Sequence, residues 1–454
     1  MDFLERLNEA QRTAVTAGSG PVLVLAGPGS GKTRVLTHRI AYLIQALGVP
    51  SYAILAVTFT NRAAREMKLR VEEMLGQEVG EIWLGTFHAM CARILRREYA
   101  VTPYDRNFVI MDSDDQEKLV KQAIEELKID SKLYKPASMH AAISNAKNQM
   151  IWPEEFKPSG YREEVIRRIY LQYNKLLVAN NAVDFDDLLL WAVRILEKNP
   201  EIRQRYARRF QHVLVDEFQD TNAVQYRFMQ LISSYHNNIF VVGDEDQSIY
   251  RWRGADYHNV LAFEQDFSGE QKILLEQNYR STQIILDAAR AVIDRNSQRT
   301  PKALFTERQG GERITLYEAT NDYAEADYVV ATIQGAMSRA TSGSQFAVMY
   351  RTNAQSRLLE EAFLRAGLPY KLVGAQRFYG RREVKDVISF LRLAQNPADE
   401  ISLIRAIGVP PRGIGDKTLL TLQAIARTAG KSAGAVLVDL GRQGPSSHYW
   451  QEFK

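Results

Sequence analysis

Ala26-Gly27-Pro28-Gly29-Ser30-Gly31-Lys32-Thr33 decides the fold of this chain. It follows the apolar run Pro21–Leu25 and precedes a stretch, Arg34 to Ile44, with helical character. Strand, glycine-rich loop, Gly-Lys-Thr and helix is the order a nucleotide-phosphate site requires. Glycines let backbone N–H groups curl around phosphates, and the helix N-terminus adds partial positive charge. Lys32 would place a cation at the outer phosphates, and the Thr33 hydroxyl would ligate Mg²⁺. The usual first glycine of this pattern is Ala26 here, but three inner glycines, Gly27, Gly29 and Gly31, remain.

Working outward, short apolar runs recur at Pro21–Leu25, Ala53–Phe59, Ile82–Phe87, His212–Val215, Ile239–Val242 and Ile273–Leu275. Runs this apolar predict buried, mostly parallel strands with helices on both faces, an α/β fold with its ligand site at the carboxyl ends of the strands. Residues 98–199 break the rhythm with helical spacing at Asp115–Leu127, Tyr161–Val178 and Phe185–Leu196, which predicts a helical insertion. A second α/β pattern follows Gln277, with strands expected at Arg313–Glu318, Phe346–Tyr350 and Tyr370–Val373, and helices at Tyr323–Met337 and Ser356–Ala366. From about residue 375 the chain again reads as helical. Asn296–Gly311, polar and closing on two glycines, reads as a linker.

A length of 454 residues implies several domains. An apolar content of 45% and a charged content of 25% are those of a globular protein. The net charge of +4 is small, so any nucleic-acid surface must be local. Cys91 is the only cysteine, which excludes an intrachain disulfide and fits a reducing, cytoplasmic location. Neither a secretory signal nor a membrane-spanning run is evident.

The second half of the nucleotide site is Val213-Leu214-Val215-Asp216-Glu217, an apolar strand that delivers two adjacent carboxylates. Asp216 would hold Mg²⁺ and Glu217 would act as general base on the attacking water. Gln247, after Val241–Gly243, is a candidate γ-phosphate sensor. Tyr279 offers a ring for base stacking, and Arg280 a cation for the transition-state charge. Gln11 in Leu7–Gln11 could read adenine through its amide. On the nucleic-acid side, Tyr250-Arg251-Trp252-Arg253 interleaves aromatic and basic residues, as single-strand binding needs. Thr58-Phe59-Thr60-Asn61-Arg62 and Gly85-Thr86-Phe87-His88 end two other strands with a similar mix, the latter followed by Arg93, Arg96 and Arg97 on one helical face, and at the carboxyl ends of strands one groove could collect all three stretches.

Taken in order, the motifs LNEAQ (7–11), AGPGSGKT (26–33), TFTNRAAREM (58–67), GTFHAMCARIL (85–95), VDFDDLL (183–189), VLVDEFQDTN (213–222), VVGDEDQSIYRWRGA (241–255), NYRST (278–282) and FAVMYRTNAQSR (346–357) resemble the UvrD/Rep/PcrA family of superfamily-1 DNA helicases. The resemblance implies two RecA-like P-loop domains, each with a helical insertion: 1A at 1–97 and 200–277, 1B at 98–199, a partial 2A at 278–374 and a partial 2B at 375–454. It implies an ATP- and Mg²⁺-dependent motor that moves 3′ to 5′ on single-stranded DNA and acts at single-strand/duplex junctions in repair or replication. By motif, Gln11, Gly27, Gly29, Ser30, Gly31, Lys32, Thr33, Arg34, Tyr279 and Arg280 would hold the nucleotide. Thr33 and Asp216 would hold the metal; Lys32, Glu217, Gln247 and Arg280 would serve catalysis. Phe59, Thr60, Asn61, Thr86, His88, Tyr250, Trp252 and Arg253 would contact DNA. Pro411-Arg412-Gly413-Ile414-Gly415 resembles a 2B loop that touches duplex backbone. Nothing after Gly415 resembles the family's last two motifs, so the chain is expected to stop short of them. The alternative function is an ATP- and single-strand-binding module without unwinding.

Overall fold

In the computed structural model the described residues are 2–248, 258–267, 269–296, 300–337, 342–373 and 382–450. Eight strands lie among them: β1 Val22–Ala26, β2 Ile54–Thr58, β3 Trp83–Thr86, β4 Val109–Ile110, β5 Ala182–Val183, β6 His212–Val215, β7 Ile239–Gly243 and β8 Gln271–Leu275. Six form one sheet in the order β3-β2-β6-β7-β1-β8, with every pairing parallel. The six apolar runs each supply one of these strands. Their residues alternate between two cores. Leu23, Leu25, Leu55, Val57, Val213, Val215 and Val241 enter one cluster. Val22, Val24, Ile54, Ala56, Leu214, Phe240 and Val242 enter the other. Burial on both faces removes the apolar/polar alternation of a half-exposed strand and leaves continuous apolar runs.

The helices Ser113–Glu126, Pro136–Asn148 and Tyr161–Ala179 build a separate core around Leu119, Ile143, Ile169, Tyr170 and Tyr173. The two-residue strands β4 and β5 pair in parallel beside it. Helix Phe185–Lys198 falls inside the expected insertion by number. Its face of Leu188, Leu189, Ala192 and Leu196 instead packs into the sheet's core with Trp83 and Phe87. The insertion's own apolar core therefore ends before that helix.

By compactness, residues 1–311 and 386–454 group as one unit and residues 312–385 as a second. In the first, helices Glu400–Gly408, Asp416–Thr428 and Ala433–Gln443 enclose Leu403, Leu422, Ile425 and Val436. Arg392 pairs with Asp115 at 3.1 Å, and Asn396 Nδ2 donates to the Asn180 carbonyl. In the second unit, helices Asp322–Met337 and Ser356–Arg365 pack through Ala326, Val330 and Ala362, as expected. The three strands expected there are absent among the described residues: Arg313–Glu318, Phe346–Tyr350 and Tyr370–Val373 have no ladder partner. Leu316 is 94% and Met349 91% exposed. An apolar pattern becomes a strand only where a neighbour completes its hydrogen bonds.

No described helix is long and apolar enough to cross a membrane.

Candidate nucleotide and nucleic-acid site

Because the sheet is wholly parallel, the loops that leave its carboxyl edge gather on one side. The phosphate loop leaves β1. Gly29 (φ 65°) and Gly31 (φ 89°) take left-handed backbone that a side chain would strain. Ser30 is buried, and its Oγ donates to the Gly27 carbonyl at 2.7 Å, closing the loop on itself. Helix Lys32–Gln45 begins at Gly31 without a side-chain cap, so its first amides are available to an anion.

Gln11 lies beneath this loop. Its Nε2 donates to the Ser30 carbonyl at 2.8 Å and its Oε1 accepts from the Asn8 amide at 3.2 Å. Both ends of the amide expected to read adenine are thus engaged within the protein. Arg34 donates to the Arg6 carbonyl at 2.7 Å and lines a cleft of about 720 Å³ with Phe3, His38 and Arg70. Tyr279 and Arg280, both exposed, are brought to the loop by Asn278. The Asn278 Nδ2 donates to the Pro28 carbonyl, its Oδ1 accepts from the Arg280 and Ser281 amides, and the Tyr279 amide donates to the Gly29 carbonyl at 3.0 Å. The Asn8 Nδ2 donates to the Tyr279 hydroxyl at 2.8 Å, linking 7–11 to 278–281.

Asp216 follows β6 and is 4% exposed. Its Oδ2 accepts from the Thr58 hydroxyl at 3.4 Å, while Oδ1 is buried without a hydrogen-bond partner. Burial, then the neighbouring Glu217 charge, pushes this carboxyl up to about 7. An orphaned, desolvated carboxylate oxygen fits a cation, and Mg²⁺ is usually held by one or two protein groups plus substrate phosphates. Among the described residues no cluster of three or more His, Cys, Asp or Glu forms a metal cage. Thr33 and Asp216 with phosphate oxygens are the set the chain offers.

Glu217 adopts φ 50°, uncommon for a residue with a β-carbon and strained backbone of the kind found at functional sites. Its Oε2 accepts from Gln219 Nε2 at 2.9 Å, and the Gln219 Oε1 accepts from the Asp244 amide, tying the end of β6 to that of β7. There the Gln247 Nε2 donates to Asp244 Oδ2 at 2.6 Å. Lys32 Nζ stands 3.8 Å from the same oxygen. Lys32, Asp216, Glu217 and Gln247 thus issue from neighbouring strands β1, β6 and β7.

The described nucleic-acid candidates follow β2 and β3, at the other half of the edge. Phe59, Thr60 and Asn61 follow β2; the Thr60 hydroxyl caps helix Asn61–Leu75 by accepting from the Ala63 amide. Thr86, at the end of β3, caps helix Phe87–Arg97 through the Ala89 amide. His88 lies edge-on to Phe185, their centroids 6.1 Å apart, and Phe185 is 44% exposed. Phe185 is not among the residues expected at the site; its signal in sequence is an aromatic opening a helix directly after a capping aspartate, Asp184. Tyr250, Trp252 and Arg253 lie outside the described residues.

Two expectations need correction. Arg93 and Arg97 do not face the groove: their guanidiniums lie 4.1 and 5.1 Å from the Trp83 ring centroid, and Arg96 lies over Phe108. Trp83 opens β3, and the helix after β3 runs back toward the strand's amino end, carrying its arginines away. Arg412, exposed in the loop that resembles a duplex contact, donates to the Ile407 and Pro410 carbonyls at the end of helix Glu400–Gly408 and stands over Phe390. The expected linker is not loose along its described part: Lys302 and Thr306 are buried, and Phe305 bridges to Gln277.

Comparison with known proteins agrees with this geometry. The profile of the UvrD/REP helicase N-terminal domain matches residues 7–268, and that of the UvrD-like helicase C-terminal domain matches residues 273–449. The chain is 46% identical over 452 residues to the ATP-dependent DNA helicase PcrA of Staphylococcus epidermidis, covering 99% of this chain and 62% of that protein. It is 47% identical over 433 residues to the protein of that name from Bacillus subtilis, covering 95% and 59%. It therefore spans about 60% of the length of these relatives. A phosphate loop, a two-carboxylate strand and a β7 amide on one parallel sheet, matched by both domain profiles, place this chain in the UvrD/REP helicase family.

Proposed function

We propose that this chain binds and hydrolyses Mg-ATP in answer to single-stranded DNA, as part of a 3′-to-5′ DNA helicase acting at single-strand/duplex junctions. The observation that carries this is the position of β6. It lies between β2, which leads into Phe59–Asn61, and β7, which leads into Asp244–Gln247. Asp216 and Glu217 therefore stand between the two halves of the sheet edge, and Thr58 on β2 touches Asp216 directly. A shift of the β2 loop on binding a strand has a short route to the carboxylates.

In this reading the loop amides and Lys32 bind the outer phosphates, and Tyr279 stacks on the base. Thr33 and Asp216 hold Mg²⁺, which when bound neutralises phosphate charge. Glu217 orients water and takes its proton. Gln247 exchanges its bond to Asp244 for one to the γ-phosphate, and Arg280 meets charge that develops on transfer. Phe59, His88 and Phe185, with Tyr250, Trp252 and Arg253, form the stacking and phosphate contacts of the strand, and Thr60, Asn61 and Thr86 add polar ones.

The test is steady-state ATP hydrolysis with and without a single-stranded oligonucleotide. Stimulation by the strand, lost in Phe59→Ala with His88→Ala while Mg-ATP affinity persists, supports the reading. Hydrolysis indifferent to DNA refutes it. Duplexes with 3′ or 5′ single-stranded tails then test direction, since only the former should be separated.

A further inference from the structure

The polar segment after residue 299 delivers a buried lysine to the phosphate site. The Lys302 side chain has no exposure; its Nζ donates to Asp244 Oδ1 at 2.7 Å and lies 3.2 Å from Asp246 Oδ2. Asp244 is itself fully buried, and its other oxygen accepts from Gln247 Nε2 at 2.6 Å and faces Lys32 Nζ at 3.8 Å. One carboxylate therefore serves the phosphate-loop lysine, the sensor amide and a third group from a segment some fifty residues downstream.

That segment is fixed on both sides of the lysine. The Thr300 amide and hydroxyl donate to the Glu245 carboxylate at 2.9 and 3.1 Å. The Ala303 amide donates to Glu276 Oε1. Leu304 lies so close over Gly27 that a β-carbon there would meet its Cδ2 at 2.2 Å.

We propose that Lys302 is a positioning residue of the ATP site. It acts as the counter-ion of Asp244, and so leaves Lys32 free to transfer to nucleotide phosphates and Gln247 bonded to a charge-balanced acceptor. A buried carboxylate without a partner is costly and takes the nearest cation. With Lys302 replaced by an uncharged side chain, that cation is Lys32, and the phosphates must compete with a desolvated carboxylate for it. The proposal rests on the Mg-ATP reading above.

The experiment is equilibrium binding of a fluorescent ATP analogue with Mg²⁺ to the 454-residue chain, with thermal melting run in parallel. Lys302→Met should weaken binding at least about tenfold, as loss of one member of a buried charge pair does, and Lys302→Arg should restore most of it. In the Asp244→Asn background, Lys302→Met should change affinity by less than about twofold, because the carboxylate that would otherwise capture Lys32 is gone, while Asp246 stays in place in both members of the comparison. That comparison is decisive even if Lys302→Met alone melts early. Equal weakening by Lys302→Met in both backgrounds overturns the proposal, as does unchanged affinity in the single variant. Failure of the underlying reading looks different: the unaltered chain would not bind Mg-ATP, or Lys32→Ala would bind it equally well.

Discussion

Replacing Lys147 by methionine tests how the insertion is held to the sheet. Lys147 ends helix Pro136–Asn148 with its side chain wholly buried, 2.6 Å from Asp184 Oδ2 and 2.7 Å from Asp187 Oδ1. The Tyr173 hydroxyl donates to the same Asp184 oxygen at 2.9 Å, and the Asp187 amide donates to its other oxygen. Methionine conserves length and volume, so the loss is chiefly one of charge. Breaking one side of a buried pair costs about 3–5 kcal/mol. The lower end applies at neutral pH. Burial, then the neighbouring Asp184, pushes Asp187 up to about 7, so a proton can replace part of the lost cation. Burial is the largest influence on Asp184 and raises it, but the Lys147 charge and hydrogen bond, with the Asp187 amide and the Tyr173 hydroxyl, together hold that carboxyl below the usual range, and its charge is the one left unpaired. Because Asp187 titrates higher folded than unfolded, its contribution is fully present below about pH 4 and lost as pH rises through 7. The variant should therefore be hurt more at pH 8 than at pH 5. The assay is hydrogen exchange of peptides spanning 136–148 and 185–198, since a chain with several cores has no single melting free energy. A 3 kcal/mol loss corresponds to exchange faster by about 10²-fold where exchange reports local opening. Adding Asp184→Asn and Asp187→Asn should recover most of it. Exchange within about threefold of the unaltered chain at pH 8 would refute the reasoning.

Other outcomes follow from the same geometry. Glu217→Gln should leave Mg-ATP binding nearly intact and slow hydrolysis by roughly 10²-fold or more, measured in single turnover; equal loss of binding would remove the general-base role. Tyr250→Ala and Trp252→Ala should each weaken binding of a single-stranded oligonucleotide by about 1–3 kcal/mol, irrespective of base sequence; retained affinity with a lower melting temperature would make them core residues instead. His212, at the start of β6, is lowered to about 4 by burial and then by Arg39. Its folded value lies below the unfolded one, so it destabilises the chain as pH falls from about 6.5 to 4, and His212→Asn should flatten melting temperature across that window.

The sheet was legible because both its faces are buried: each apolar run had to be a strand, and the glycines and carboxylates had to follow strand ends. The direction of the β3 helix, which turns Arg93 and Arg97 onto Trp83, depends on packing that residue types alone do not encode. Lys302 was hidden by composition. Its surroundings are polar because they bond to Glu245 and Glu276, which reads from sequence as a solvated linker. The strands β4 and β5 are two residues each, too short for a period to register. The runs around Leu316 and Met349 carried a strand's pattern, but pattern does not supply a neighbour. The place of Gln11 beside the phosphate loop was legible in its motif, but its bond to the Ser30 carbonyl, which depends on the loop's backbone path, was not.

The central claim is that residues 26–33 form a working phosphate site with Asp216 and Glu217, and calorimetric titration of the 454-residue chain with Mg-ATP tests it most directly. Saturable binding at one site per chain is expected, weakened at least about tenfold by Lys32→Ala, which removes the cation at the outer phosphates. Binding that is absent from the unaltered chain, or equally tight in the variant, would contradict it.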